Sequence, residues 1–437
     1  MTTEMASGRL RALAVKYASA GALKATVRTA GFNLASTLNA GLGGVILARY
    51  LGPAGRGDYA AVTAWFAFAC IIGDLGLPGA LCFYVAREPE LAGEYVATSR
   101  AIMIVTGSLA AAVGVFIAPI LSHGIPAVTL AYRVAFLVTI VAVIGASYIY
   151  GLQARDLHRW NIVRVSQPTF SLIAICVLWQ LRLLSLVVAT YILAGTVLLQ
   201  LALAYYCCRR VSLVPGRSNT RLIRPLITYG IAQIAGSTPG MINVQLDQLV
   251  LSQTVSAGDL GRYAIAVSLT MLPMPIVSAI GNVAFPRLAS QRVITNESHR
   301  LQQLALLSGA VLALSIVVPL GSVAYWLVPL IFGPAYSGAV PLLWILCPGA
   351  VFLATGQVAS DLLRGRKRPM VIGRAHGLAA VFTIVILSAL LPFIGVYAAA
   401  IASTAAYAVA LLVMVRALHR SPKHARERSG VRAIRRA

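Results

Sequence analysis

Three carboxylates lie inside long apolar runs: Asp74, Asp247 and Asp361. An acid at bilayer depth is costly unless it is paired, protonated or bound to an ion, so each is a candidate for a coupling proton or cation. Asp247 has no basic neighbour in sequence and ranks first. Asp361 stands three residues before Arg364, at ion-pair spacing, and Asp74 opens Asp74-Leu75-Gly76-Leu77, where a carboxylate can cap a turn. Asn243, Asp247 and Gln248 share roughly one helical face, just after a Pro239-Gly240 break. That face either lines a wet cavity or packs against a helix, with Gly236 and Gly240 as a Gly-x-x-x-Gly contact. Asn33 and Thr37 share a second polar face, close to Ser36, and Asn282 follows Pro273 and Pro275 in another run. These amides and hydroxyls suit sugar hydroxyls and helix-to-helix bonds equally. Pro239, Gly240, Pro273 and Pro275 are the expected kinks or hinges.

The elements that must position these groups are membrane-spanning helices. The chain has 437 residues, 59% of them hydrophobic and 11% charged, with mean hydropathy +0.83. Apolar runs of membrane-spanning length recur throughout, whereas a transmembrane barrel would show short alternating segments. The expected fold is an all-α polytopic membrane protein of about twelve spans: 29–50, 59–86, 97–121, 127–151, 161–181, 185–208, 224–253, 260–288, 303–332, 336–363, 370–392 and 395–417. The expected organisation is a basic N-terminal segment 1–28, a six-helix bundle 29–208, a basic linker 209–223, a second six-helix bundle 224–417 and a basic, disordered tail 418–437. In the N-terminal segment, Leu10, Leu13 and Tyr17 fall at amphipathic helical spacing.

Basic residues cluster on alternate loops. They precede span 1 and follow spans 2, 4, 6, 8, 10 and 12, while the opposite loops hold Arg49, Arg56, Arg182 and Arg262, with Arg133 just inside span 4. The positive-inside rule then places both termini in the cytoplasm and accounts for the net charge of +24. Nucleic acid is therefore not an expected partner. The first 28 residues hold no apolar core before a small-residue cleavage site, which predicts no cleavable signal peptide. The six cysteines form no CxxC pair and read as small apolar side chains; Cys207-Cys208 also has the position of an acylation site. No metal site and no resident cofactor are expected, a coupling H+ or Na+ aside.

A weak internal echo organises the halves. Leu51-Gly52-Pro53-Ala54-Gly55-Arg56-Gly57-Asp58-Tyr59 ends one span and opens the next, and about 204 residues on Ser256-Ala257-Gly258-Asp259-Leu260-Gly261-Arg262-Tyr263 does the same. Pro119-Ile120-Leu121 recurs as Pro329-Leu330-Ile331. Two corresponding halves, a parallel internal repeat, are the architecture of a secondary transporter in which one bundle rocks against the other. Nucleotide-binding, HExxH and nucleophile-elbow motifs are absent from the sequence. A membrane glycosyltransferase would need outer-face acids, and the clear ones, Asp58 and Asp259, sit in equivalent turns where capping explains them. The chain is not expected to be an enzyme.

Leu51-Gly52, Gly57-Asp58-Tyr59 and Asp74-Leu75-Gly76-Leu77 resemble the first two helices of the oligosaccharide flippases, the polysaccharide-transporter branch of the multidrug/oligosaccharidyl-lipid/polysaccharide (MOP) superfamily. Asp247, Gly261-Arg262-Tyr263 and Phe332-Gly333-Pro334-Ala335-Tyr336 extend the resemblance over most of 25–375. It implies a V-shaped pair of six-helix bundles, with spans 1, 2, 7 and 8 lining a cavity. The implied cargo is a polyprenyl-pyrophosphate-linked oligosaccharide, carried to the outer leaflet for polysaccharide export by alternating access in the inner (plasma) membrane. Such a cargo needs cations. Arg28, Arg287 and Arg133 are the candidates, with interfacial snorkelling as the alternative for each. Expected partners are the lipid-linked oligosaccharide, membrane lipids, and a polysaccharide polymerase or glycosyltransferases. Two other functions fit the same superfamily or setting: a multidrug or cation antiporter, and a non-transporting assembly protein of an envelope glycan complex. The lipid II branch is disfavoured because no fourteen-helix extension is evident.

Overall fold

A computed structural model describes the backbone of residues 2–214, 216–289, 296–366 and 368–419, and side chains over 28–214, 216–234, 240, 243–281, 299–366, 368 and 370–419. Among the described residues the structure is helical throughout. The helices are α1 (Thr2–Asp74), α2 (Leu77–Arg87), α3 (Ala92–Leu121), α4 (Pro126–Arg155), α5 (Leu157–Gln180), α6 (Leu186–Arg210), α7 (Ile223–Thr254), α8 (Ala257–Thr270), α9 (Met274–Ala289), α10 (Asn296–Phe332), α11 (Ala339–Gly365), α12 (Pro369–Ile394) and α13 (Tyr397–His419). Ten runs among the described residues are long and apolar enough to cross a membrane. Phe116 and Phe393 are 83% and 84% exposed, which an aqueous surface tolerates poorly and lipid accepts. The chain is a multi-pass membrane protein.

The twelve expected spans and these ten runs differ for local reasons. First, α1 contains two spans. Gly52 takes φ 68°, ψ 178° beside Pro53, a conformation that breaks a helix and that glycine adopts freely. Before Gly52, α1 runs parallel to α5: Thr29 meets Asn161, and Tyr50 meets Arg182 just beyond its end. After Gly52, Phe66 packs with Val138 and Gly73 approaches Val143, so the chain runs parallel to α4. Helices α4 and α5 are joined across Asp156 alone and run in opposite directions, so α1 reverses at Gly52. Second, α7 is helical over the expected range but too polar to be counted by hydropathy.

Elsewhere the ends are set by local chemistry. Asp156 caps α5, its carboxylate accepting the His158 and Arg159 N–H groups at 2.9 and 3.1 Å, and Ser185 caps α6. Proline opens α4 and α12, where no intrahelical N–H is needed. The expected span 59–86 breaks at Leu75-Gly76, and span 260–288 breaks between Thr270 and Met274, where Pro273 sits.

The chain divides into two compact units. One comprises Met1–Ile234, Gln248–Ser268 and Trp326–Gly338, and the other Ala235–Asp247, Leu269–Tyr325 and Ala339–Ala437. The first is built on Leu77, Leu81, Met103, Leu152 and Leu226. Cys207 and Cys208 are buried in this core, which corrects the acylation reading, since a modifying enzyme needs access to the thiol. The second is packed through small side chains, among them Ala354, Ala359, Ala375, Ala379, Ala406 and Ala410, which let helices approach closely without a driving force from water. The amphipathic reading of 1–28 and the reading of the 418–437 tail fall on residues whose side chains lie outside the described set, Arg28, Leu418 and His419 excepted.

Candidate functional site

Polar groups at membrane depth need partners, and α1 and α5 supply them to one another. Asn161 Nδ2 donates to Thr29 Oγ1 at 2.9 Å, Arg164 Nη1 to Asn33 Oδ1 at 3.2 Å, and Asn39 Nδ2 to Thr169 Oγ1 at 2.8 Å. Thr37 turns its hydroxyl onto the Asn33 carbonyl at 3.0 Å. The sequence separations are 130–132, so two parallel helices keep one register along a polar ladder. Arg164 is exposed and stands over the Trp160 ring at 4.3 Å. Its guanidinium is thus oriented from both sides, by an aromatic face and by an amide. Arg28 lies exposed on α1 one residue before the ladder begins, and Arg133 is exposed on α4.

In the second unit, α7 is tied by buried hydrogen bonds. Thr383 Oγ1 donates to Asn243 Oδ1 at 2.9 Å, and Ser403 Oγ to Asp247 Oδ2 at 3.0 Å. Asn243 and Asp247 are each 2% exposed, so in this structure they face α12 and α13 rather than open space. Gly240 approaches the His376 ring, whose Nδ1 is buried without a hydrogen-bond partner. Asp361 pairs with Arg364 at 3.0 Å and accepts from Gln357 at 3.5 Å, while its other oxygen lies against Gly281. Asp74 accepts the Gly76 N–H at 2.9 Å, closing the turn in which Gly76 takes φ 68°. Gln248 is half-buried. The side chains of Pro239, Asn282 and Arg287 lie outside the described residues. Among the described residues no group of three or more metal-ligating side chains converges.

The two echoed turns meet. A Cβ on Gly57 would overlap the Ala257 carbonyl and lie 2.9 Å from Gly261 N; one on Gly261 would overlap the Pro53 carbonyl and lie 3.0 Å from Gly57 N. Around this crossing, Tyr336 donates to the Ala48 carbonyl at 2.9 Å and Arg49 Nε to the Ile331 carbonyl at 2.5 Å. Asp259 pairs with Arg262 at 2.9 Å, and its N–H bonds Ser256 Oγ at 3.1 Å, a helix-capping arrangement.

Residues 23–292, more than half of the chain, match the family described as polysaccharide biosynthesis protein. The chain belongs to this family. Within it, similarity to individual proteins is partial. An uncharacterized membrane protein of Methanocaldococcus jannaschii is 25% identical over 214 residues, covering 47% of this chain and 41% of that protein. The lipopolysaccharide biosynthesis protein WzxC of Escherichia coli is 28% identical over 148 residues, covering 33% and 30%. The matched stretches thus span less than half the length of these relatives. Among solved structures, an inward-facing multidrug resistance MATE transporter of the MOP superfamily superposes with TM-score 0.70 at 14% identity, covering 87% of this chain and 93% of that one. The lipid II flippase MurJ in an inward closed conformation gives 0.72 at 12% identity, covering 89% and 87%. The fold is that of MOP-superfamily transporters.

For a member of the polysaccharide biosynthesis family, the additions to the expected residue set are informative. Arg164 reads in sequence as one more positive-inside residue, and the available signal is Trp160 four positions earlier, at stacking distance on a helix. Thr383 is a single hydroxyl in an apolar run, Ser403 stands beside Thr404 and Thr169 between Ser166 and Ser171, and no local motif marks any of the three.

Proposed function

We propose that this member of the polysaccharide biosynthesis family flips a polyprenyl-pyrophosphate-linked oligosaccharide from the inner to the outer leaflet of the plasma membrane, with both termini cytoplasmic, for surface polysaccharide export. The observation that carries the reading is the α1–α5 ladder: amides and hydroxyls spaced along a bilayer path, with the oriented Arg164 guanidinium as its second rung, one turn in from the arginine-rich end. A pyrophosphate suits bidentate guanidinium recognition, and sugar hydroxyls exchange readily with amide and hydroxyl partners. Arg28 adds charge at the same end, with Arg287 as a further cation. On this reading Asn33 and Thr37 line the path. Asp247 is the coupling residue: loss or gain of a proton or Na+ there alters the Ser403 bond that ties α7 to α13. Asp74 and Asp361 hold structural partners instead. The work is transport by alternating access, without enzymatic chemistry.

The test is leaflet-resolved accumulation of polyprenyl-linked glycan in cells lacking the chain. Build-up on the cytoplasmic leaflet, relieved by wild type and not by Arg164→Gln or Asp247→Asn, is the expected result. Normal glycan distribution with raised sensitivity to cationic drugs would instead establish an antiporter. Full rescue by both variants would leave an assembly role.

A further inference from the structure

At the arginine-rich end of the second unit, α12 and α13 enclose an open groove of about 410 Å³, lined by Arg368, Val371, Arg374, Val413, Arg416 and Ala417. The arginines do not all serve the fold. Arg368 Nη1 donates to the Ala417 carbonyl at 3.3 Å, and Arg366 reaches the neighbouring Leu418 carbonyl. Both thereby cap the C-terminal carbonyls of α13, where cations are favoured. Arg374 and Arg416 are exposed, and the acids that pair with arginine among the described residues, Asp156, Asp259 and Asp361, are bonded elsewhere. Span-end basic residues are ordinary, but that accounts for the sign of the charge and not for two arginines facing one aliphatic groove.

The surface beyond the groove decides the class of anion. Arg374, Leu378, Val381 and Val385 follow one helical face of α12, and the three apolar members are 44%, 55% and 60% exposed. On α13, Leu412, 48% exposed, lies one turn from Arg416. A free phosphate has no use for such a stripe, whereas an acyl chain would cover it from headgroup level into the bilayer. We propose that this groove is a binding site for an anionic glycerophospholipid, its phosphate held between Arg374 and Arg416 and one acyl chain lying along Leu378, Val381 and Val385. The site is independent of the transport cargo and would make the protein's behaviour depend on membrane composition.

Native mass spectrometry of the purified full chain, released from detergent with phosphatidylglycerol or phosphatidylcholine, tests this directly. Phosphatidylglycerol should be retained in preference. The Arg374→Gln/Arg416→Gln pair should lose about tenfold in retention, and the Arg374→Lys/Arg416→Lys pair much less. Arg155→Gln/Arg209→Gln, the same charge change at exposed positions on α4 and α6, should leave retention unchanged. Melting curves of each variant separate a lost site from a lost fold, and the lysine pair keeps the comparison available if the glutamine pair unfolds. Equal loss in the control pair would reduce the effect to diffuse charge and overturn the site. So would equal retention of phosphatidylcholine, displacement by excess inorganic phosphate, or preferential binding of a polyprenyl pyrophosphate.

Discussion

The contact between the two echoed turns supports a prediction with a sign as well as a size. In Gly57→Ala, the new Cβ would lie 2.6 Å from the Ala257 carbonyl carbon and 2.9 Å from Gly261 N. Carbon–carbon contact is optimal near ~3.5–4.0 Å, so the turns must part by about 1 Å. All the atoms met are backbone, which cannot rotate away as a side chain would. Overpacking of this kind costs roughly 1–3 kcal/mol. Parting also strains the Tyr336–Ala48 and Arg49–Ile331 hydrogen bonds, each worth about 0.5–1.5 kcal/mol net. Against this stands the gain of about 1 kcal/mol that alanine brings over glycine inside a helix. Gly44→Ala isolates that gain, because its Cβ meets nothing within 4 Å. The expectation is that Gly57→Ala melts below wild type in detergent and Gly44→Ala at or above it, with a gap of about 2–3 kcal/mol. Thermal unfolding of the three purified proteins measures it. If Gly57→Ala melts with or above Gly44→Ala, the backbone crossing is not the tight contact described.

Other expectations follow from the same geometry. Asp247→Ala leaves Ser403 without its acceptor and opens a buried polar gap, so it should cost about 1–3 kcal/mol, read as a lowered melting temperature. Asp156→Ala removes the α5 cap, with an expected loss of about 1 kcal/mol by the same measurement. Partial burial pushes the Asp156 carboxyl up, but the Arg159 and His158 N–H bonds and the Arg159 guanidinium outweigh it and hold the group below its ordinary value. A lowered folded-state value stabilises the fold above the ordinary carboxylate pKa, and that contribution disappears as pH falls through the folded value. Melting curves taken from neutral to strongly acidic pH should therefore show a component present in wild type and missing in Asp156→Asn. Tyr336→Phe, which deletes the bond to Ala48, should cost about 0.5–1.5 kcal/mol and leave the helix content by circular dichroism intact.

Much of the architecture is legible in the sequence because a bilayer imposes one dominant rule, a run of apolar residues long enough to cross it. The runs over 97–121, 127–151 and 161–181 reappear as α3, α4 and α5 with ends shifted by a few residues, as capping residues dictate. The Asp74 turn and the Asp361–Arg364 pair were visible because both partners are close in sequence. Less visible were contacts between distant residues. Nothing local to Asn243 indicates Thr383, 140 residues away, and nothing local to Asp247 indicates Ser403. The reversal between the first two spans was legible at Leu51-Gly52-Pro53, but its tightness was not: helical geometry resumes so soon after Gly52 that a loop never forms. Arg164 was legible as a charge but not as an oriented one, since orientation needs Asn33 from another helix.

The constant register between α1 and α5 restricts how those helices can move. Thr29 and Asn33 stand one turn apart on α1, facing Asn161 and Arg164 on α5, and Asn39 faces Thr169. Sliding α1 by about 5.4 Å, one helical turn, would carry Asn33 to the level of Asn161 and Thr37 to that of Arg164, so two of the three rungs regain a polar partner while Asn39 leaves Thr169. A slide of half a turn would strand all of them at once in apolar surroundings, at roughly 1–3 kcal/mol for each unsatisfied group. The pair therefore behaves as a toothed rack. It holds as a single rigid body during small displacements, and any larger axial shift advances by whole turns.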